Sequence, residues 1–188
     1  MNEEERNYFE DEDISEALNR FKRSLISGSK KYFDVSEFEG IVEQLLEEGD
    51  INASEIAVKQ GIQIHPQAVA LQLKYAQVLL NKGKYEEALR RLTLIEKVEK
   101  TNPDVHLIKG SAWLVKGEEV KARVAFRKAI KYAGNEVDDV LYHIGSAYVH
   151  AGDISSAIVY FEKAVIANPE NEMALYDLGF FCDQTGDY

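Results

Sequence analysis

Two serines stand where a nucleophile would be sought. Gly110-Ser111-Ala112 and Gly145-Ser146-Ala147 begin like the tight turn that presents a hydrolase serine, but neither has the second glycine such a turn requires. The same small-residue cluster recurring along the chain is what close helix packing produces. The four histidines, His65, His106, His143 and His150, are scattered. His143 and His150 lie two turns apart on one expected helix, with no Cys or acid at ligand spacing, so no metal site is expected. Cys182 is the single cysteine and has no base beside it in sequence; it reads as a small packed hydrophobe. Gly83-Lys84 lacks the earlier glycine and the following Ser or Thr of a phosphate loop. Asn52-Ala53-Ser54 is formally a glycosylation sequon at a helix start, and reads as silent. These residues predict no catalytic group, no cofactor and no metal: the chain reads as a non-enzyme.

The elements that would position any site follow from composition and spacing. Across 188 residues, 22 Lys and Arg face 33 Asp and Glu, a formal charge of −11. Such a balance repels phosphate backbones and anionic membrane surfaces, so neither nucleic acid nor membrane is an expected partner. No apolar run approaches the roughly 18 residues of a membrane helix. Met1 to Asn7 is acidic rather than basic then apolar, and one cysteine cannot form an internal disulfide, so a cytoplasmic location is expected. Only 3 Pro among abundant Ala, Leu, Glu and Lys lean the chain to helix.

Five glycines, Gly49, Gly83, Gly117, Gly152 and Gly186, recur at intervals of 34 or 35 residues. Amphipathic stretches precede each and follow the first four. A glycine in the left-handed conformation ends one helix, and the acid that often follows it sits at the N-terminus of the next. Past each complete turn comes a small residue, Ser54, Ala88, Ala122 or Ala157. One helical turn on is a bulky one, Val58, Leu92, Phe126 or Phe161, and then Gly61, Ile95, Ala129 or Ala164. This ridge predicts where the second helix of each pair meets its neighbours.

The chain thereby resembles the tetratricopeptide repeat (TPR) family, whose unit is a helical hairpin. The resemblance implies an all-α fold, a right-handed α-solenoid built as a TPR-like superhelix of antiparallel helix hairpins. Its units are 35–68, 69–102, 103–137 with one extra residue, and 138–171, with the first helix of a truncated fifth at 172–188. The fourth follows the family most closely, with Leu141, Ile144-Gly145, Tyr148, Gly152-Asp153, Ala157, Phe161, Ala164 and Pro169. Gln72 and Ile95 depart from the pattern in the second unit, as do His106 and Lys109, in normally apolar slots, in the third.

Residues 1–34 are expected to be an acidic tail plus an N-terminal capping helix. Met1 to Asp13 would be a frayed tail or a helical extension. Ile14, Ala17, Leu18, Phe21 and Leu25 form one apolar stripe, with Asp13 or Ser15 near the helix start and Gly28-Ser29 ending it. At the far end Leu175, Leu178, Phe180, Phe181 and Cys182 are more apolar than a terminal helix should expose. They imply a fragment of a longer repeat protein and self-association through this C-terminal helix.

In the family the concave face, lined by first helices, binds extended peptides or a partner's helix. The resemblance puts Glu39, Glu43, Leu46 and Glu47 there, then Leu73, Gln77, Leu80 and Asn81. Leu107, Ser111, Leu114 and Val115 follow, then Tyr142, Ser146, Val149 and His150, and finally Met173, Tyr176 and Phe180. The expected function is a non-catalytic protein–protein interaction scaffold whose groove takes a protein or peptide with apolar and basic anchors. The alternative is a regulatory or sensor module of a larger signalling or enzyme chain continuing past Tyr188. Lys and Asn are missing at the offsets that clamp a chaperone's C-terminal carboxylate, so that ligand is not expected.

Overall fold

The computed structural model describes residues 3–29 and 31–185, with side chains between 13 and 184. The chain forms two compact units, Met1–Glu87 and Ala88–Tyr188. The first holds α1 (Glu3–Ser27), α2 (Val35–Glu47), α3 (Ile51–Ile64), α4 (Val69–Asn81) and the start of α5 (Tyr85–Val98). The second holds the rest of α5, α6 (Pro103–Val115), α7 (Glu119–Tyr132), a 3-10 turn at Gly134–Glu136, α8 (Val137–His150), α9 (Ile154–Ala167) and α10 (Glu172–Thr185). No strand occurs among the described residues.

The repeating turn works as its spacing implies. At Gly49 φ is +75° and at Gly152 +81°, a region closed to most side chains. There Gly49 N donates to Leu46 O at 3.0 Å and Asp50 N to Leu45 O at 2.8 Å, and Gly152 and Asp153 repeat the pair on Val149 and Tyr148. These bonds satisfy carbonyls that the helix end would otherwise leave open. The next residue starts the following helix: Asp50 Oδ1 accepts from Ala53 N at 2.9 Å and Asp153 Oδ1 from Ser156 N at 3.0 Å. Glu118, one carbon longer, makes no such cap on α7 and pairs with Lys121 at 3.2 Å. Gly186 lies outside the described residues.

In the first unit, Phe21, Phe33 and Phe38 are buried, with ring centroids 6.1 and 5.4 Å apart along the row. Ala17, Leu18 and Phe21 put α1 onto α2, and Ile14 covers Gly40, where a methyl would meet it at 2.9 Å. Two expectations for this helix are corrected. It begins at Glu3, so Asp13 and Ser15 lie inside it rather than near its start, the acidic stretch from Glu3 taking the helical extension of its two expected forms. Leu25 faces outward, and Ser24 is buried beside it, its hydroxyl satisfied by Phe21 O at 2.7 Å. Asp34 opens α2 with a reciprocal capping box: Glu37 N donates to Asp34 Oδ1 at 2.9 Å, and Asp34 N to Glu37 Oε2 at 2.8 Å.

The second unit is organised by glycine against phenylalanine. A methyl on Gly110 would collide with the Phe126 ring, and one on Gly145 would lie 2.6 Å from Phe161. Both rings are fully buried, each contributing roughly 1.5–3 kcal/mol by removal from water. Ala122, Ala129, Ala157 and Ala164 beside them are also fully buried. The glycines that flank Ser111 and Ser146 are therefore there to admit a ring. Asp138 is buried at the start of α8, where the amides of Asn168 and Asn171 donate to its Oδ2 at 2.8 and 3.0 Å. Those two bonds, Asn171's first, hold its carboxyl below the usual range. Asn171 in turn accepts from Ala174 N at 3.0 Å and caps α10.

Candidate functional site

On the first helices of the first unit, α2 and α4 pack together. Glu39, Leu46, Gln77 and Leu80 are half-buried, and Glu43 and Asn81 are exposed. Leu73, expected to line the surface, is buried in the core. Lys74 Nζ donates to Glu43 Oε2 at 3.0 Å, so part of the expected acidity is already countered. Burial pushes the Glu39 carboxyl up, against the pull of Lys74. Glu47 lines a polar cleft between α1 and α2 with Ser15, Asn19, Lys22 and Gln44. Asn81 spends its amide on Gln77 O at 3.2 Å.

In the second unit α6 packs on α8. Leu114 is buried, and Leu107, Tyr142 and Val149 lean on the same core. Ser111 donates to Leu107 O at 3.1 Å and Ser146 to Tyr142 O at 3.2 Å, each one turn back on its own helix. Such bonds are the ordinary local bonds of a hydroxyl within a helix. His150 Nδ1 bonds Ser146 O at 2.7 Å. Val115 is exposed. Tyr142 lies 5.7 Å from the Phe161 ring, and burial, then the Asp177 carboxylate of α10, push its hydroxyl upward. Met173, Tyr176 and Phe180, 53%, 74% and 48% exposed, stand on one face of α10.

Two further histidines bond backbone carbonyls. His65 Nε2 bonds Phe33 O at 2.9 Å, and His106, buried, bonds Lys100 O at 2.9 Å. Cys182 is half-buried. Among the described residues no three His, Cys, Asp or Glu side chains gather where an ion could be held, and no helix is long and apolar enough to cross a membrane.

Sequence reasoning missed the polar hub that accounts for the odd residues of α6. Glu96 of α5 accepts from Lys109 at 2.6 Å and from Lys128 of α7 at 2.9 Å, with His106 Nδ1 at 3.7 Å. Lys109, then Lys128, hold its carboxyl down at about 2 against burial. Two polar residues in apolar slots of one helix were the signal: a buried His and a stem-buried Lys require a partner.

Two tetratricopeptide repeat models match the chain, one over residues 45–112 and one over 138–171, together more than half of it. No curated protein matches it by sequence. Among solved structures, TTC0263, a thermophilic TPR protein of Thermus thermophilus, is similar at 18% identity and a TM-score of 0.67, covering 89% of this chain and 90% of that one. MamA residues 41-end from Desulfovibrio magneticus RS-1 is similar at 19% identity and a TM-score of 0.50, over 85% and 97%. YrrB, a TPR protein with an unusual peptide-binding site, is similar at 15% identity and a TM-score of 0.50, over 88% and 83%. At these identities the likeness concerns the fold, which is all-α and of the helical-solenoid class. Helical hairpins closed by a left-handed glycine, locked by small residues against a ring and matched by both repeat models, place the chain in the tetratricopeptide repeat family.

Proposed function

We propose that the chain is a non-catalytic scaffold that holds a protein or peptide partner against the surface of its first helices. The observation that carries this reading is the row Met173, Tyr176 and Phe180 on α10, apolar side chains standing in solvent. Large rings already exposed bury much area on contact and lose little rotamer freedom, which makes them anchors for an apolar partner segment. Taken by itself, the first unit carries Glu39 and Glu43, which would favour basic residues in a segment bound there, with Lys74 limiting that preference. The peptide-binding site of YrrB, on a similar fold, supports the general reading.

The test is a selection from a random peptide library on the wild-type chain, followed by calorimetric titration of the enriched peptides. Tyr176→Ala with Phe180→Ala should weaken binding by about thirtyfold, the equivalent of roughly 2 kcal/mol for a lost anchor, with an unchanged melting temperature. Tyr142 is a poorer choice, because it rests on the core and its truncation also unpacks Phe161. Equal affinity for the double variant would remove this surface as the binding site.

A further inference from the structure

A second surface, on a second helix, carries charge opposite to the rest of the chain. In a protein of formal charge −11, α7 holds five cations and one acid. Ala122, Ala125, Phe126 and Ala129 face the core, so every cation points outward. Val120 and Val124, 76% and 52% exposed, line up with Arg127 and Lys131 in one stripe along the helix. Flanking it, Lys121 pairs with Glu118 at 3.2 Å, Arg123 with Glu119 at 3.6 Å and Lys128 with Glu96 at 2.9 Å. Such solvent-exposed pairs are weak and exchange readily for a better partner. Among the described residues Arg127 has no ion pair, and the Lys131 ammonium meets only the face of Tyr132, at 5.3 Å.

We propose that α7 binds the acidic N-terminal stretch of a second copy of this chain, a contact separate from the peptide surface described above. The sequence from Glu3 to Asp13 supplies the complement: seven acids and one Arg, with Tyr8-Phe9 set between the acids. Acids can pair with Arg127 and Lys131 while the aromatic pair covers Val120 and Val124. A nucleic acid fits less well, since Glu118 and Glu119 at the start of α7 oppose phosphates and the exposed valines would be left uncovered.

Salt separates this contact from apolar pairing through α10. Two chains of charge −11 repel, so apolar association strengthens as salt screens that repulsion. A local pairing of opposite charges weakens, because the screening length falls from about 10 Å at 0.1 M to about 3 Å at 1 M. The experiment is sedimentation equilibrium of the full chain at about 30 mM and about 0.5 M NaCl. The expected result is a mass that climbs above 21.3 kDa with concentration at low salt and returns toward it at high salt. Arg127→Glu with Lys131→Glu should weaken the low-salt association by about tenfold or more, as should Glu10→Lys with Asp11→Lys and Glu12→Lys. Mixing the two variant chains should restore it, since each then offers the other a complementary surface. All substituted α7 positions are exposed, and circular dichroism would verify unchanged helicity. A monomer at low salt at every concentration, association that grows with salt, or a mixture that stays dissociated would each overturn the proposal.

Discussion

The hairpin α6–α7 and the hairpin α8–α9 share their packing device and their turn and differ in the polarity of the positions around them. In both, a first-helix glycine receives a second-helix phenylalanine, Gly110 with Phe126 and Gly145 with Phe161. In both, a positive-φ glycine closes the turn. Yet where α8 buries Leu141 and Ile144, α6 has His106 and Lys109 at the same places in its repeat. Its second helix presents a cationic face where α9 has only Lys163. The comparison teaches that ring-into-glycine contact is enough to define the hairpin. The slots beside it accept hydrocarbon or a satisfied polar group alike.

If that contact defines both hairpins, removing either ring should have the largest effect of any single change. Phe126→Ala and Phe161→Ala should each cost about 3–5 kcal/mol in urea unfolding monitored by circular dichroism. A loss at Phe126 far below that at Phe161 would mean that the Glu96 hub, rather than the ring, holds the third hairpin. Next in size, Glu96→Ala should cost about 1–3 kcal/mol by leaving the partly buried Lys109 without its acceptor, whereas Ile144→Val, a change of one methylene, should cost about 0.5–1.5. The two also differ in pH dependence. The Glu96 carboxyl lies at about 2 in the fold against an ordinary value of 4.5. Its lowered value means that its contribution is complete above the unfolded value and is lost as pH falls from about 4.5 toward 2. The stability gap between wild type and Glu96→Gln should therefore close over that interval, while the gap for Ile144→Val stays flat.

Smaller again is the turn. Gly117→Ala and Gly152→Ala, at φ of +76° and +81° with open space around each, should cost about 1 kcal/mol apiece from backbone strain alone. Equal values would show that the turn is indifferent to the capping difference between Glu118 and Asp153; a larger loss at Gly152 would mean that the Asp153 cap depends on the turn being intact.

Much of this fold was legible because its determinants are local. A glycine at a fixed interval, a small residue on the next helix and a bulky one a turn later each act within a few residues, and every member of that ridge is buried. The start of α1 was not legible, because the acids of Glu3 to Asp13 suit a helix and a solvated tail equally. Nor was the burial of Leu73 and Leu114, since an offset within a repeat gives a direction but not how closely the adjoining helix covers it. The surface candidates split along the same line. Tyr176 and Phe180 are exposed on α10, Phe180 with one edge against Phe181, while Tyr142 and Val149 are half-buried against the core. The Glu96 hub joins three helices, and no local pattern announces a meeting of that kind.

The finest discrimination lies inside that hub. Lys109 and Lys128 both reach Glu96, at 2.6 and 2.9 Å, so distance alone barely separates them. Exposure does: the Lys109 side chain is 18% exposed and Lys128 is 48%. Water around Lys128 screens its attraction and already solvates its ammonium, so its pairing should contribute under about 1 kcal/mol. Lys109 has given up more of that solvation, and its bond to Glu96 replaces water that is no longer present. A double-mutant cycle of Glu96→Gln with Lys109→Met should therefore give a larger coupling than one with Lys128→Met, measured as urea stability near pH 7. At high salt the Lys128 coupling should fall toward zero while most of the Lys109 coupling survives. Equal couplings with equal salt response would mean that the hub is a surface cluster. The polar residues of α6 would then need another reason to stand where α8 has leucine and isoleucine.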